Sequence, residues 1–135
     1  MTRFVITPDV ALALARDRVA VPTQHQLVAP ALIRSQLVSG LYRAVRAGEL
    51  SRTEATRRLT YTRGLRMRLL GDRVLQSEAW RIADQLGWED TFTAEYVALT
   101  GLQADALVTL DAALAAQVAR LVTVAPASVL GLAVP

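Results

Sequence analysis

The chain has 135 residues, of which 53% are hydrophobic and 20% charged, with 15 arginines, no lysine, 12 acidic residues and a formal net charge of +3. This size and apolar content suit one continuous core, read as a single domain over residues 1–135, and exclude intrinsic disorder. Cysteine is absent, which excludes disulfides and thiolate metal sites and fits a reducing cytoplasm, and no run reaches the roughly 18 apolar residues that a membrane span needs.

Arg3 to Ile6 reads as a short strand, β-branched at Val5 and Ile6, with no signal-peptide core around it; it stops at Thr7-Pro8-Asp9. Asp9 precedes the helix-forming run Val10 to Ala15 and is placed as its N-cap. Residues 18–30 contain Pro22, Gln24, His25, Gln26 and Pro30 and read as a loop. A helix follows over about 31–47, with Leu32, Ile33, Leu37, Leu41, Ala44 and Val45 on one stripe and Gly48 at its end. Ser51-Arg52-Thr53-Glu54 has the capping-box spacing and opens a third helix that ends by Gly64, with Glu54 placed to meet Arg58 one turn on.

Leu65 to Leu70 alternates, with Leu65, Met67 and Leu69 facing a core and Arg66 and Arg68 facing solvent, the period of a half-buried strand. Asp72 caps a helix over 73–86 that ends at Gly87, and Asp90 to Thr93 leads into a helix over 94–100. Ala106 to Leu110 is a fully apolar strand of the kind buried in a parallel sheet. Asp111 starts the helix Ala112 to Arg120, and Val122 to Val124 is the last strand. Strands alternating with helices predict a three-layer α/β/α sandwich around a parallel sheet of about four or five strands. In such sheets sites form outside the carboxyl ends of the strands, where Thr7-Pro8-Asp9 and Leu110-Asp111 both fall.

Four segments together resemble the PIN-domain family, the fold of VapC-type toxin ribonucleases, through nearly the whole length. They are Val5-Ile6-Thr7-Pro8-Asp9-Val10-Ala11-Leu12, Val28-Ala29-Pro30-Ala31-Leu32-Ile33-Arg34-Ser35-Gln36, Thr93-Ala94-Glu95-Tyr96-Val97-Ala98-Leu99-Thr100 and Val108-Thr109-Leu110-Asp111. The resemblance places the family's acidic cluster on Thr7, Gln36, Thr93 and Asp111, of which only Asp111 is acidic. A Mg²⁺ or Mn²⁺ ion needs anionic oxygen ligands that bind it and lower the pKa of its water, and three of the four are missing. The expectation is therefore a degenerate, nuclease-deficient site with no cofactor, Mg or Mn entering only if residual activity persists. Thr and Gln also remove the mutual repulsion of clustered carboxylates.

Asp9, Asp90 and Asp111 form a conceivable displaced metal site, but each also stands at a helix start where capping explains it. Glu95, two residues from Thr93, should point away. His25, the only histidine, is read as a solvated loop residue, Trp80 as a core or subunit-contact residue, and Trp88 as a candidate for exposure near the cleft.

The positive functional lead is arginine. Nine lie between Arg43 and Arg73 against Glu49, Glu54 and Asp72, a net of +6, while the remainder carries a net of −3. Arg57, Arg58, Arg63, Arg66, Arg68 and Arg73 are candidates to follow a phosphate backbone of DNA or RNA, with no base-reading code evident. A regulatory or architectural nucleic-acid-binding protein is thus the first reading. A weak metal-dependent ribonuclease using Asp111 with Asp9 or Asp90 is the second, and a protein-interaction module the third. The resemblance implies a homodimer and often a small antitoxin partner, with the uncharged tail Leu121 to Pro135 available for either interface.

Overall fold

The computed structural model describes residues 1–133. Five strands form one wholly parallel sheet: β1 (Thr2–Ile6), β2 (His25–Pro30), β3 (Met67–Leu70), β4 (Ala106–Val108) and β5 (Val124–Ala125), in the spatial order β3-β2-β1-β4-β5. The helices are α1 (Pro8–Asp17), α2 (Ile33–Arg46), α3 (Arg52–Gly64), α4 (Arg73–Leu86), α5 (Phe92–Gln103) and α6 (Ala112–Val118), followed by a 3₁₀ turn at Ala127–Leu130. The chain winds one way from β1 to β3 and the other way from β3 to β5. Right-handed crossovers therefore place α1, α2 and α3 on one face and α4, α5 and α6 on the other.

The central strands are apolar without alternation because both faces are covered. Phe4 to Ile6, Leu27 to Ala29 and Ala106 to Val108 are all buried, and Val5 lies in register between Val28 and Leu107. Leu14, Ile33, Leu75 and Ile82 close the core from the helices. A Leu or Ile side chain buried in this way stabilises the fold by about 1.5–3 kcal/mol.

The predicted caps form where the side chains allow. Ser51 Oγ accepts from Glu54 N at 3.0 Å, Asp72 Oδ1 from Leu75 N at 2.9 Å and Asp111 Oδ1 from Leu114 N at 3.0 Å. Gly87, at φ 69°, ends α4 in the left-handed conformation that glycine adopts without steric cost. Asp9 corrects its expectation: the N-cap of α1 is Thr7, and Pro8 occupies the first turn, where its fixed φ suits a helix and its missing N–H costs nothing.

The segment expected to be a loop at 18–30 contains β2, which pairs with β1 on one side and β3 on the other. Its first two residues are polar, so it lacks a strand's local signature, and its partners on both sides supply the missing drive. The β4 strand stops at Val108, and the last strand begins at Val124 rather than Val122.

Trp80 is not in the core, being 70% exposed on α4. Of the tail, Ala127, Leu130 and Leu132 pack into the chain's own core, and the last two residues lie outside those described. Among the described residues no helix is long and apolar enough to cross a membrane.

Candidate functional site

The sheet order reverses between β1 and β4, so the crevice outside their carboxyl ends is where this architecture gathers a site. Thr7 follows β1 there and is only 5% exposed, its backbone N donating to Val108 O at 3.3 Å. Its hydroxyl donates to Asp9 Oδ1. The same oxygen accepts from Val10 N at 2.8 Å, while Oδ2 accepts from Leu110 N at 3.2 Å. Both carboxylate oxygens of Asp9 are thus engaged, and the side chain ties the turn after β1 to the turn after β4.

Gln36, in the first turn of α2, is held from the opposite layer: the Tyr96 hydroxyl on α5 donates to Gln36 Oε1 at 2.5 Å. Burial pushes the Tyr96 phenol well above its ordinary range, and the carboxylates of Glu95 and Asp9 push it further in the same direction. The hydroxyl therefore remains a donor, and Asp9 lies close enough to act on it. Where the resemblance implies a metal-binding carboxylate, the amide at position 36 accepts a neutral hydrogen bond.

Thr93 and Asp111 are less enclosed. Both are exposed and line an open cleft of about 380 Å³ together with Trp88, Glu89 and Asp90. Thr7 and Gln36 thus lie in hydrogen-bonded closures, and Thr93 and Asp111 line the cleft wall. Asp111 is committed to its helix cap, and Asp90 Oδ1 accepts from Phe92 N at 3.1 Å. Among the described residues no three of His, Cys, Asp and Glu come together closely enough to hold a metal ion. Asp9, Asp90 and Asp111 therefore do not form such a group, whereas Mg²⁺ or Mn²⁺ needs several convergent anionic oxygens. Glu95 is half-buried away from the cleft wall, and burial raises its carboxyl pKa.

The arginine segment separates in the same way. Arg57 Nε donates to both Glu54 oxygens, at 2.7 and 2.9 Å, and its Nη2 donates to Ala15 O at 2.9 Å. Arg58 joins the same carboxylate at 3.4 Å. The Arg57 hydrogen bond, aided by Arg58 and opposed by desolvation, holds the Glu54 carboxyl down at about 2. Arg63, Arg66, Arg68 and Arg73 are exposed and have no carboxylate partner among the described residues. Arg68 lies on the edge strand β3 and Arg66 immediately before it.

Sequence reasoning missed two participants and misplaced a third. Tyr96 stands one helical turn beyond Thr93, and that spacing was the available signal. Nothing local marked the Leu110 N–H as the partner of Asp9. His25 begins β2, half-buried, with its ring edge-on to Phe4 at a centroid distance of 5.0 Å rather than solvated in a loop. Trp88 is half-buried on the core margin at the cleft.

No family model matches the chain, and no curated protein matches it. Solved structures do. PAE2754 from Pyrobaculum aerophilum superposes with a TM-score of 0.72 at 20% identity, over 94% of this chain and 90% of that one. VapBC2 from Rickettsia felis, bound to a DNA fragment from its promoter, gives 0.60 at 9% identity, over 92% and 98%. VapBC-1 from nontypeable Haemophilus influenzae gives 0.59 at 13%, over 95% and 99%. At these identities the likeness is one of fold, and it is the PIN-like, VapC-like fold that the four sequence segments imply.

Proposed function

We propose that this PIN-like chain has lost metal-dependent nuclease chemistry and serves as a regulatory, nucleic-acid-binding subunit. The observation that carries the reading is the contrast between its two sets of charges. At the carboxyl edge, Asp9 is consumed by Thr7, Val10 and Leu110 and no carboxylate cluster forms among the described residues, whereas Arg63, Arg66, Arg68 and Arg73 stand exposed without carboxylate partners there. Guanidinium groups so placed suit phosphate oxygens, with Arg57 and Arg58 contributing positive potential from behind their shared Glu54.

One of the similar VapBC structures is bound to promoter DNA, which supports a nucleic-acid role and an antitoxin-like protein partner for this chain. A homodimer working in the cytoplasm completes the reading, and the exposed Trp80 of α4 is its candidate contact.

Binding of labelled RNA and DNA across a salt series tests it. Binding should weaken steeply with salt. Replacing Arg63, Arg66, Arg68 and Arg73 by Gln should flatten the slope of log K against log salt, by up to about 0.9 for each duplex-DNA phosphate that is no longer neutralised. No binding at low salt overturns the proposal. So does Mn²⁺-dependent cleavage of RNA by the unaltered chain that Asp111→Asn abolishes.

The second reading, a weak metal-dependent ribonuclease, is favoured by one observation: Asp90 and Asp111 face the same cleft beside Thr93. Calorimetric titration with Mn²⁺ separates the two, since a site abolished by Asp111→Ala belongs to the enzyme reading alone.

A further inference from the structure

We infer that the amino end of the sheet, opposite the carboxyl-edge site, carries a cleft for a nucleobase and its attached phosphate. This rests on the nucleic-acid reading above and gives the bound strand a place. All five strands run parallel, so residues at their starts lie at the end of the molecule away from Thr7 and Leu110. There the α1–β2 connection, the first residue of β2 and the last turn of α3 enclose a cleft of about 440 Å³. That falls within the roughly 300–1,000 Å³ range of small-ligand sites.

The lining has the chemistry of a nucleotide site. Val19, Val21 and Leu65 supply apolar wall, and two rings, Tyr61 and His25, also line it. Tyr61 is held in place by its hydroxyl, which donates to Val19 O at 2.5 Å. His25 is held by its edge-on packing on Phe4 rather than by a hydrogen bond at Nδ1, which is buried and without a partner among the described residues. Both rings are thus in place before any ligand arrives, which lowers the ordering cost of binding a planar group.

The charge lies where the phosphate would be. Arg66 borders this cleft and also a second one of about 460 Å³, and the two clefts share Thr23 and His25 as well. The second adds Gln26 and Arg68. A base in the first cleft would place its phosphate at Arg66, and the next phosphate of a continuing strand would run towards Arg68. Apolar, ring-bearing walls beside a cationic track are the pattern by which single strands are bound, because an unpaired base has a free face. A duplex keeps its bases stacked and cannot enter. A free nucleotide presents the same chemistry as one link of a strand, and the two sources are separated below.

Gly64 gives a direct test. It lines the cleft, its φ is not positive, and a Cβ built on it meets nothing within 4 Å, so a side chain can start there without backbone strain and Gly64→Leu is the variant chosen to occupy the cleft. The measurement is anisotropy of labelled single-stranded RNA and DNA and of a matched duplex on the full chain. Ring NMR signals of His25, the only histidine, are followed during titration with the strand and with UMP or AMP.

Gly64→Leu is expected to weaken single-strand binding about tenfold or more, the size of one base-on-ring stack, with duplex binding unchanged. Arg66→Gln should weaken it as well, and it serves as the second variant if Gly64→Leu lowers the melting temperature. Movement of the His25 signals with the strand but not with the mononucleotide supports the site and assigns it to a strand; movement with both supports it and admits the free nucleotide. Single-strand affinity unchanged in Gly64→Leu, with His25 signals still, overturns the cleft while leaving arginine-surface binding intact. Failure of the unaltered chain to bind any nucleic acid or nucleotide overturns both readings.

Discussion

The Tyr96 hydroxyl and Gln36 Oε1, 2.5 Å apart, join helices from opposite faces of the sheet across its carboxyl edge. The bond occupies the position where the family resemblance implies a metal-binding glutamate, so it serves as a structural tie between layers. Tyr96→Phe removes the donor and leaves a part-buried amide oxygen without its partner. The expected loss is about 1–3 kcal/mol in chemical denaturation, the penalty for an unsatisfied group, and an unchanged midpoint would show that the bond holds nothing.

Asp9 is expected to matter more to stability than to metal binding. Its carboxylate accepts from Thr7 Oγ1, Val10 N and Leu110 N. Asp9→Ala should cost about 1.5–3 kcal/mol, as hydrogen bonds to a charged acceptor do, with the same apparent response to Mn²⁺ as the unaltered chain. Denaturation in urea with and without the ion reads both quantities.

Restoring the three missing acids is expected to convert stability into metal dependence. Thr7→Asp, Gln36→Glu and Thr93→Asp together would add one carboxylate beside Asp9, one against the Tyr96 hydroxyl and one on the cleft that Asp111 lines, so the metal-free protein should melt lower than the parent. Mn²⁺ at about a hundredfold excess over its Kd would return about 2.7 kcal/mol by mass action, while the parent melts at the same temperature with or without it. A triple variant indifferent to Mn²⁺ would mean that the fold no longer presents these positions to a common point.

The Glu54 carboxyl, held at about 2 chiefly by its hydrogen bond from Arg57, sets a small acid-dependent term. Its folded pKa lies below its ordinary value of 4.5, so the stabilisation is fully present above that value and is lost as pH falls through about 2. Melting temperatures of the parent and Glu54→Gln should therefore differ at neutral pH and converge in acid. The difference should be modest, because the pair is partly exposed and screened by solvent.

Leu130 and Leu132 of the tail belong to the core of their own chain. Leu130 is fully buried and Leu132 nearly so, and Gly131 between them adopts φ 93° with Val19 Cγ1 3.2 Å from where a Cβ would stand. Leu130→Ala should destabilise by about 2–5 kcal/mol, measured on a monomeric sample so that loss of an interface is not read as loss of core. Gly131→Ala should also destabilise, because it is strained both in its backbone and against Val19.

Much of the fold was legible because its signals are local. Ser51, Asp72 and Asp111 cap helices from within three residues, Gly87 ends α4 by its own φ, and Met67 to Leu69 alternates with the sheet's period. The strand β2 was not legible, since His25 and Gln26 are polar and only Leu27 to Ala29 carry an apolar signal; its two partners are 23 and 40 residues away in register. Trp80 shows the reverse case, a large apolar residue whose helix turns it outward.

By itself the sequence determined that three of four matched positions carry no acid, because charge is a property of the residue and needs no neighbour. It also determined an α/β alternation, through periodicities that each segment carries alone. Only the tertiary structure decided what fills the place of the missing acids. The Asp9 carboxylate closes on Leu110 N across 101 residues, and the Tyr96 hydroxyl closes on Gln36 across 60. Such bonds depend on where turns and helices far apart in sequence meet, a relation of direction and distance that no stretch of chain contains.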